Sequence, residues 1–263
     1  MRYLYHAMRM QLRCAAQYRA SFLMQSIAQV VMVGGDLLAV TVLMNRFRGL
    51  GQWSAEEILF FFSVMQLTFA LCECFGRGIS NFSNYIGGGE FDAMLLRPQP
   101  LLLQMIGNRL DPRRLGGMLV GGAALLTACM RLRLHWTAGK ALLLALSSLG
   151  SFLLILGLFM IEATVSFFSV KSIEMVNVLT YGGRQTCQYP VEIYPRPLRL
   201  LFTWVAPFAL CMHLPLSVIL DKPLMAVPAW QVYAAPLAGP VFFAVMALVW
   251  RRLGVTHYRS TGS

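Results

Sequence analysis

The chain has 263 residues, of which 57% are hydrophobic and only 13% are charged, whereas soluble domains carry about 25% charged residues. This composition excludes an ordinary soluble protein and indicates several helices in a lipid bilayer, each of about 20 apolar residues. The net charge of +11 does not indicate a nucleic-acid partner, because the basic residues lie at the ends of apolar runs, where they face anionic lipid.

Residues 1–20 predict an amphipathic helix, since Arg2, His6, Arg9 and Arg13 fall on one stripe. Such a helix lies on a membrane surface with its basic side toward anionic headgroups. The alternative is a helix that packs against another subunit.

The first two predicted spans are residues 22–44 and 55–76. Ser54 and Glu57 form the spacing of a capping box, so the second span should begin at Ala55. Near its end, Glu73 lies one turn before Arg77, and we expect these two side chains to pair.

A polar segment follows, and residues 87–98 predict a short helix within it. The glycines at 87–89 end the preceding helix, Glu90 and Asp92 favour the first turn of a new one, and Pro98 prevents its continuation. We therefore expect a two-turn helix between the second and third spans.

Three further spans are predicted at residues 115–130, 141–168 and 230–250. Glu162 lies near one end of its span, where we expect it to be hydrated. Arg251 and the basic residue after it should end the last span.

The fifth span has two candidates. Residues 173–188 are only moderately apolar, whereas residues 200–220 are more apolar but contain Pro207 and Pro215, which should break them into half-helices. The distribution of Lys and Arg favours 200–220. Either choice places both termini in the cytoplasm.

These segments resemble a known family, the ABC-2 class of exporter permeases, in the order and spacing of three stretches. The stretches are residues 89–98, residues 189–195 with Leu198-Arg199 and Pro207-Phe208-Ala209, and the tail with Trp250, Gly254, Tyr258, Ser260 and Gly262. The resemblance covers nearly the whole chain.

The resemblance implies an all-α integral membrane protein of the bacterial cytoplasmic membrane with six spans and an interfacial N-terminal helix. It implies that 87–98 is a coupling helix that docks on an ATPase, that 173–188 is the fifth span, and that 198–220 is a re-entrant segment. Contact with the ATPase is then expected from Glu90, Phe91, Asp92, Met94, Leu95, Leu96 and Arg97.

No phosphate-binding loop of the G-x-x-x-x-G-K-[ST] type occurs in the sequence. We therefore expect the ATPase pair to be a separate polypeptide, and ATP and magnesium to bind there. We expect no cofactor, metal or catalytic residue in this chain, and a second copy or a related permease as its membrane partner.

Candidate residues of a translocation pathway are Asp36, Glu73 and Pro207. A charge at the bilayer centre costs about 2.5–3.5 kcal/mol, so Asp36 should face a subunit interface or a polar cavity, unless its role is structural.

Two other classes of protein compete with this interpretation. An ion-driven secondary transporter or channel is disfavoured because the sequence shows no related halves and its histidines are scattered. An intramembrane enzyme is disfavoured because H-E-x-x-H and G-x-S-x-G are absent. The substrate is not indicated; the family implies amphiphiles, peptides, drugs or lipid-linked molecules.

Overall fold

The computed structural model describes residues 2–47, 50–168, 173–222 and 228–258. Over these residues the chain is helical, apart from turns and one isolated bridge between Leu50 and Trp53, and it contains no named strand. The predicted Ser260 and Gly262, and residue 1 of the predicted interfacial helix, lie outside the described residues.

The helices follow the apolar runs of the sequence closely. In chain order they are α1 (Arg2–Gln17), α2 (Arg19–Phe47), α3 (Ala55–Ser80), α4 (Phe82–Gly87), α5 (Glu90–Leu95), α6 (Leu101–Asn108), α7 (Leu115–Leu132), α8 (Ala138–Val165) and α9 (Ile173–Cys187), followed by a hairpin of two arms (Arg196–Val205 and Ala209–Ile219) and the C-terminal helix (Ala229–His257).

Five stretches in the described residues are long and apolar enough to cross a membrane: α2, α3 with α4, α7 with the turn before it, α8, and the C-terminal helix. The two arms of the hairpin pass the same test only together, and they are bent by 84° at their junction. These features confirm the prediction of an all-α membrane protein.

Helix α3 forms the centre of the bundle. It begins at Ala55 with the predicted capping box: Ser54 Oγ accepts from the backbone N–H of Glu57, and Glu57 accepts from the N–H of Ser54. It packs against α7 and α8, and most of its apolar side chains are buried. By contrast, α2 and the C-terminal helix leave most of their apolar side chains at least partly exposed, as helices that face lipid or a partner subunit do.

Helix α8 and the C-terminal helix approach each other through glycine. A Cβ atom added at Gly239 would overlap the carbonyl oxygen of Gly150, and one added at Gly150 would overlap the carbonyl oxygen of Pro236. Small residues permit such close contact between helices in lipid. The C-terminal helix is also longer than predicted, because it continues past Arg251 to His257.

The hairpin has one break, at residues 206–208, and the prediction that Pro215 breaks it as well is wrong. The second arm continues through Pro215, after a widened π-type turn at Ala209–His213. Proline cannot donate to the carbonyl four residues earlier, which belongs to Cys211. The buried Ser147 of α8 donates to that carbonyl instead, at 2.8 Å, so a neighbouring helix compensates for the proline.

We expect Ser147→Ala to lower the unfolding free energy of the chain by about 1–3 kcal/mol, the cost of a buried carbonyl without a donor. An unfolding titration from mild detergent into a denaturing one measures this change. Ser148→Ala, one position along and only partly buried, is the matched control. Equal effects of the two substitutions would contradict the role given to Ser147.

Candidate functional site

The predicted coupling segment contains helix α5, which is shorter than predicted. Gly89 adopts a left-handed conformation with a φ of 70°, and the helix begins at the next residue, Glu90. Glycine takes this conformation more readily than other residues, so the glycine run favours a helix start at this position. Leu95 is the last helical residue, three positions before Pro98.

Gln104 of α6 stabilises the end of α5. Its side chain is fully buried, and its amide nitrogen donates to the carbonyls of Met94 at 3.1 Å and Gln99 at 2.9 Å. Met94 lies in the last turn of α5 and Gln99 lies just beyond Pro98, so Gln104 connects the end of the helix to the segment that follows it. Helix α6 was not predicted from the sequence, so this contact was missed as well.

The predicted contact residues of α5 divide between two faces. Phe91 and Met94 are buried, and Asp92 is partly buried. Leu95 is 43% and Leu96 is 87% exposed, and they share the outer side with Glu90 and Arg97, which are exposed too. The helix is therefore anchored on one side and presents two leucines on the other.

Phe91 belongs to an aromatic cluster, which we define as Phe82, Tyr85, Phe91, Phe167, Trp250 and Tyr258. Ring centroids lie 5.1 Å from Phe91 to Phe82, 5.6 Å to Phe167 and 4.8 Å to Tyr258. The cluster connects α5 to α4, to the residues after α8, and to the end of the C-terminal helix. The cluster therefore places α5 in contact with side chains at the ends of three long helical segments.

Glu73 of α3 forms an ion pair, but its partner is not the predicted one. The carboxylate lies 2.9 Å from the guanidinium of Arg114, which also contacts Asp111 at 3.8 Å. Arg114 reaches Glu73 from the turn before α7, which packs tightly on α3. Arg77 interacts with Glu73 only at longer range, so the pair predicted from helical spacing is wrong.

Asp36 of α2 also has a partner that the sequence did not reveal. It lies 3.6 Å from Arg184 of α9, with its own side chain 40% exposed. Arg184 donates to Gln66 of α3 at 2.7 Å and stacks over the ring of Phe69 at 4.8 Å. Arg184 is the only basic residue of α9, which was the one sequence signal for it.

The structure brings two of the three predicted pathway residues together. Asp36 and Glu73 both interact electrostatically with Arg184, so α2, α3 and α9 share one charge network. Pro207, whose side chain is apolar, lies apart from this network and is buried at the break of the hairpin.

Glu162 of α8 is not hydrated as predicted. It is buried and accepts a hydrogen bond of 2.6 Å from the hydroxyl of Thr180 of α9. The contact arises because α9 packs back along α8, a tertiary feature that position in the sequence does not reveal. Among the described residues, no group of three His, Cys, Asp or Glu side chains could hold a metal ion.

A family model described as ABC-2 family transporter protein matches residues 30–262. No curated protein matches the chain. The matched range contains α3, α5, the hairpin and the C-terminal helix. Of the described helices it leaves out only α1 and the start of α2. The chain therefore belongs to the ABC-2 family of transporter proteins and is a membrane-spanning permease of an ABC transporter.

Proposed function

We propose that this permease exports its substrate from the cytoplasm and is driven by a separate pair of ATPase subunits that bind α5. The observation that carries the proposal is the division of α5 into a buried face and an exposed face with Leu95 and Leu96. ATP and magnesium would bind to the ATPase pair, and this chain would supply half of the translocation pathway.

The exposed face of α5 has the composition of a protein-binding surface. Leu96 is almost fully exposed, and no other part of the described chain covers this apolar side chain. Glu90 and Arg97 flank the two leucines, so an apolar centre has a charged rim, as protein interfaces do. Burial of both leucines in a groove of the ATPase would stabilise the binding of α5 to it.

The aromatic cluster supports transmission of movement from α5 to the spans. Phe91 contacts rings that belong to other helical segments at distances of 4.8 to 5.6 Å. A close-packed cluster transmits a displacement because it resists compression. Closure of the ATPase pair would thus shift the ends of α4, α8 and the C-terminal helix as one unit.

The topology that we propose places both termini, α5 and the aromatic cluster in the cytoplasm of a bacterial cell, with α9 as the fifth span. Each arm of the hairpin is about 15 Å long at 1.5 Å per residue, half the thickness of a hydrocarbon core. Together with the bend of 84°, this supports a re-entrant hairpin in the outer leaflet. Helix α9, with 15 residues, would cross a locally thinned bilayer.

We propose that Asp36 and Arg184 face the second permease of the transporter, either another copy or a related chain. Their ion pair is partly exposed on the side of the bundle, where direct contact with hydrocarbon would be costly. A partner, or the polar pathway between two permeases, removes that cost. Glu73 would hold this network on α3, and Pro207 would set the bend of the hairpin at the exit.

The test is the double substitution Leu95→Asp with Leu96→Asp. We expect the variant to fold, because both side chains point away from the bundle. We expect its co-purification with the ATPase pair and its stimulation of ATP turnover to fall by at least about tenfold. A loss of about 1.4 kcal/mol or more of binding free energy gives a decrease of this size. Pull-down from co-expressing cells and ATPase assays measure both effects.

Gln99→Asp is the control, since it adds a negative charge at an exposed position of the same segment. It should keep co-purification and ATP turnover. If the double variant kept both as well, α5 would not be the coupling helix. Labelling of α5 by a membrane-impermeant reagent from outside intact cells would contradict the proposed topology.

A further inference from the structure

A cavity of about 710 Å³ lies between the hairpin and the beginning of the C-terminal helix. Sites for small ligands have volumes of about 300–1,000 Å³, so this one could hold a molecule of that size. The residues that line it come from both arms, from the C-terminal helix and from the short segment before the first arm.

One part of the cavity is apolar. Trp204 and Trp230 line it with largely exposed rings, and Ala234, Ala235 and Ala238 follow Trp230 along one side of the C-terminal helix. The distance from residue 231 to residue 238 is about 10 Å at 1.5 Å per residue. The small alanine side chains leave a channel of this length free, which suits a hydrocarbon chain.

The other part of the cavity contains the guanidinium of Arg199. Arg199 lines it, and only Nη2 of its guanidinium donates within the described structure, to the carbonyls of Glu192 and Tyr194 at 3.3 and 3.4 Å. Glu192 also lines the cavity, and Oε2 of its carboxylate accepts from the side chain of Gln52 at 2.7 Å and from the indole of Trp53 at 3.3 Å rather than from Arg199. Arg199 therefore keeps donors for an anionic group.

His213 adds a buried polar group to the same wall. It is only 7% exposed, and neither of its ring nitrogens has a hydrogen-bond partner among the residues that the structure describes. Its ring is fixed by Trp53 and Phe61, at centroid distances of 6.0 and 5.4 Å. A buried polar group without a partner is costly, and a ligand with a hydroxyl or ester group would supply one.

We propose that this cavity binds one amphiphile with an anionic head group. The head group binds Arg199, a hydroxyl or ester oxygen next to it forms a hydrogen bond with His213, and the hydrocarbon portion lies along the three alanines. The inference rests on the topology of the proposed function, which places this end of the bundle in the outer leaflet.

The lining disfavours other ligand classes. A small inorganic anion would leave the alanines and both tryptophans exposed to water. A neutral hydrocarbon would leave His213 and the remaining donors of Arg199 without partners. An anionic amphiphile satisfies both parts of the wall, and it could be either a bilayer lipid or a molecule that the transporter exports.

The experiment uses the full-length chain in phosphatidylcholine vesicles with Trp136→Phe, so that the largely exposed tryptophans are those at the cavity. Phosphatidylglycerol with brominated acyl chains is compared with brominated phosphatidylcholine at equal low content, because bromine quenches indole fluorescence on contact. We expect phosphatidylglycerol to bind about fivefold more strongly than phosphatidylcholine. This factor corresponds to an attraction of about 1 kcal/mol between one basic residue, here Arg199, and an anionic lipid. Brominated stearate is the second probe.

Two variants and one control identify the site. Arg199→Gln should abolish the preference for the anionic probes, and Ala234→Phe should reduce their quenching by filling the channel. Ala244→Phe, at an exposed position of the same helix outside the cavity, should change neither. All are compared after confirmation that each variant elutes as a folded species.

Stronger quenching by phosphatidylglycerol than by stearate would identify a bilayer lipid as the occupant, and the reverse would identify a free amphiphile. Equal quenching by anionic and zwitterionic lipid, or an unchanged preference in Arg199→Gln, would overturn the proposal. Because no ATPase takes part, failure here leaves the coupling proposal intact, and failure of the coupling test leaves this one intact.

Discussion

Arg114→Met is expected to lower the unfolding free energy of the membrane domain by about 3–5 kcal/mol, the range for removing one partner of a buried ion pair. Glu73 is 5% exposed and lies 2.9 Å from Arg114. Methionine would leave the carboxylate buried without its strongest partner. It would also remove the contact of Arg114 with Gln29 of α2, at 3.1 Å, so α2, α3 and α7 would be joined less firmly.

Arg113→Met is the matched control, because Arg113 is the preceding residue and its side chain is 54% exposed in a pair with Asp111 at 3.5 Å. Exposed ion pairs contribute only about 0–1 kcal/mol. In the unfolding titration in detergent, Arg113→Met should therefore lower the unfolding free energy much less than Arg114→Met does. Glu73→Gln in the Arg114→Met background should recover part of the loss, since it removes the unpaired charge; no recovery would mean that Arg114 acts through packing alone.

The helices could be predicted from the sequence because their signals are local. Apolar runs of about 20 residues mark α2, α3, α7, α8 and the C-terminal helix. The start of α3 follows from Ser54 and Glu57, whose reciprocal hydrogen bonds connect residues only three positions apart. Such local interactions do not depend on how the helices pack together, so the helices that they predict are present in the fold.

The partners of the intramembrane charges could not be predicted, because they come from other helices. Helical spacing predicted an ion pair between Glu73 and Arg77, but the packing of α7 on α3 brings Arg114 closer to Glu73. Asp36 meets Arg184 across the 148 positions that separate them in the sequence. Likewise, the continuity of the second arm through Pro215 depends on Ser147, which the local pattern of prolines does not include.

The candidate coupling site was predictable in part. A short helix at α5 could be predicted because the glycine run precedes it, its first turn is acidic and Pro98 follows it. Leu95 and Leu96 lie within that predicted segment. The anchoring of α5 was not predictable, since Gln104 belongs to an unpredicted helix and the rings around Phe91 come from distant segments. A short helix gains most of its stability from such tertiary contacts, which makes Phe91 the decisive residue.

Phe91→Ala is expected to release α5 from the bundle. The ring is fully buried, and truncation of a buried phenylalanine costs about 3–5 kcal/mol. A six-residue helix has little stability of its own to oppose that loss, so we expect local undocking of α5 with the spans still folded. Hydrogen exchange of the α5 amides should then accelerate, while the amides of α3 keep their protection.

If α5 transmits force through the aromatic cluster, Phe91→Ala should also uncouple the transporter even though Leu95 and Leu96 are unchanged. The ATPase pair could still bind the released helix, so co-purification would persist while the stimulation of ATP turnover by substrate would fall. Phe91→Leu, which keeps an apolar side chain in the cluster, should retain most of both. Full stimulation in Phe91→Ala would mean that the movement reaches the spans by another route, such as the contact of Gln104 with the end of α5.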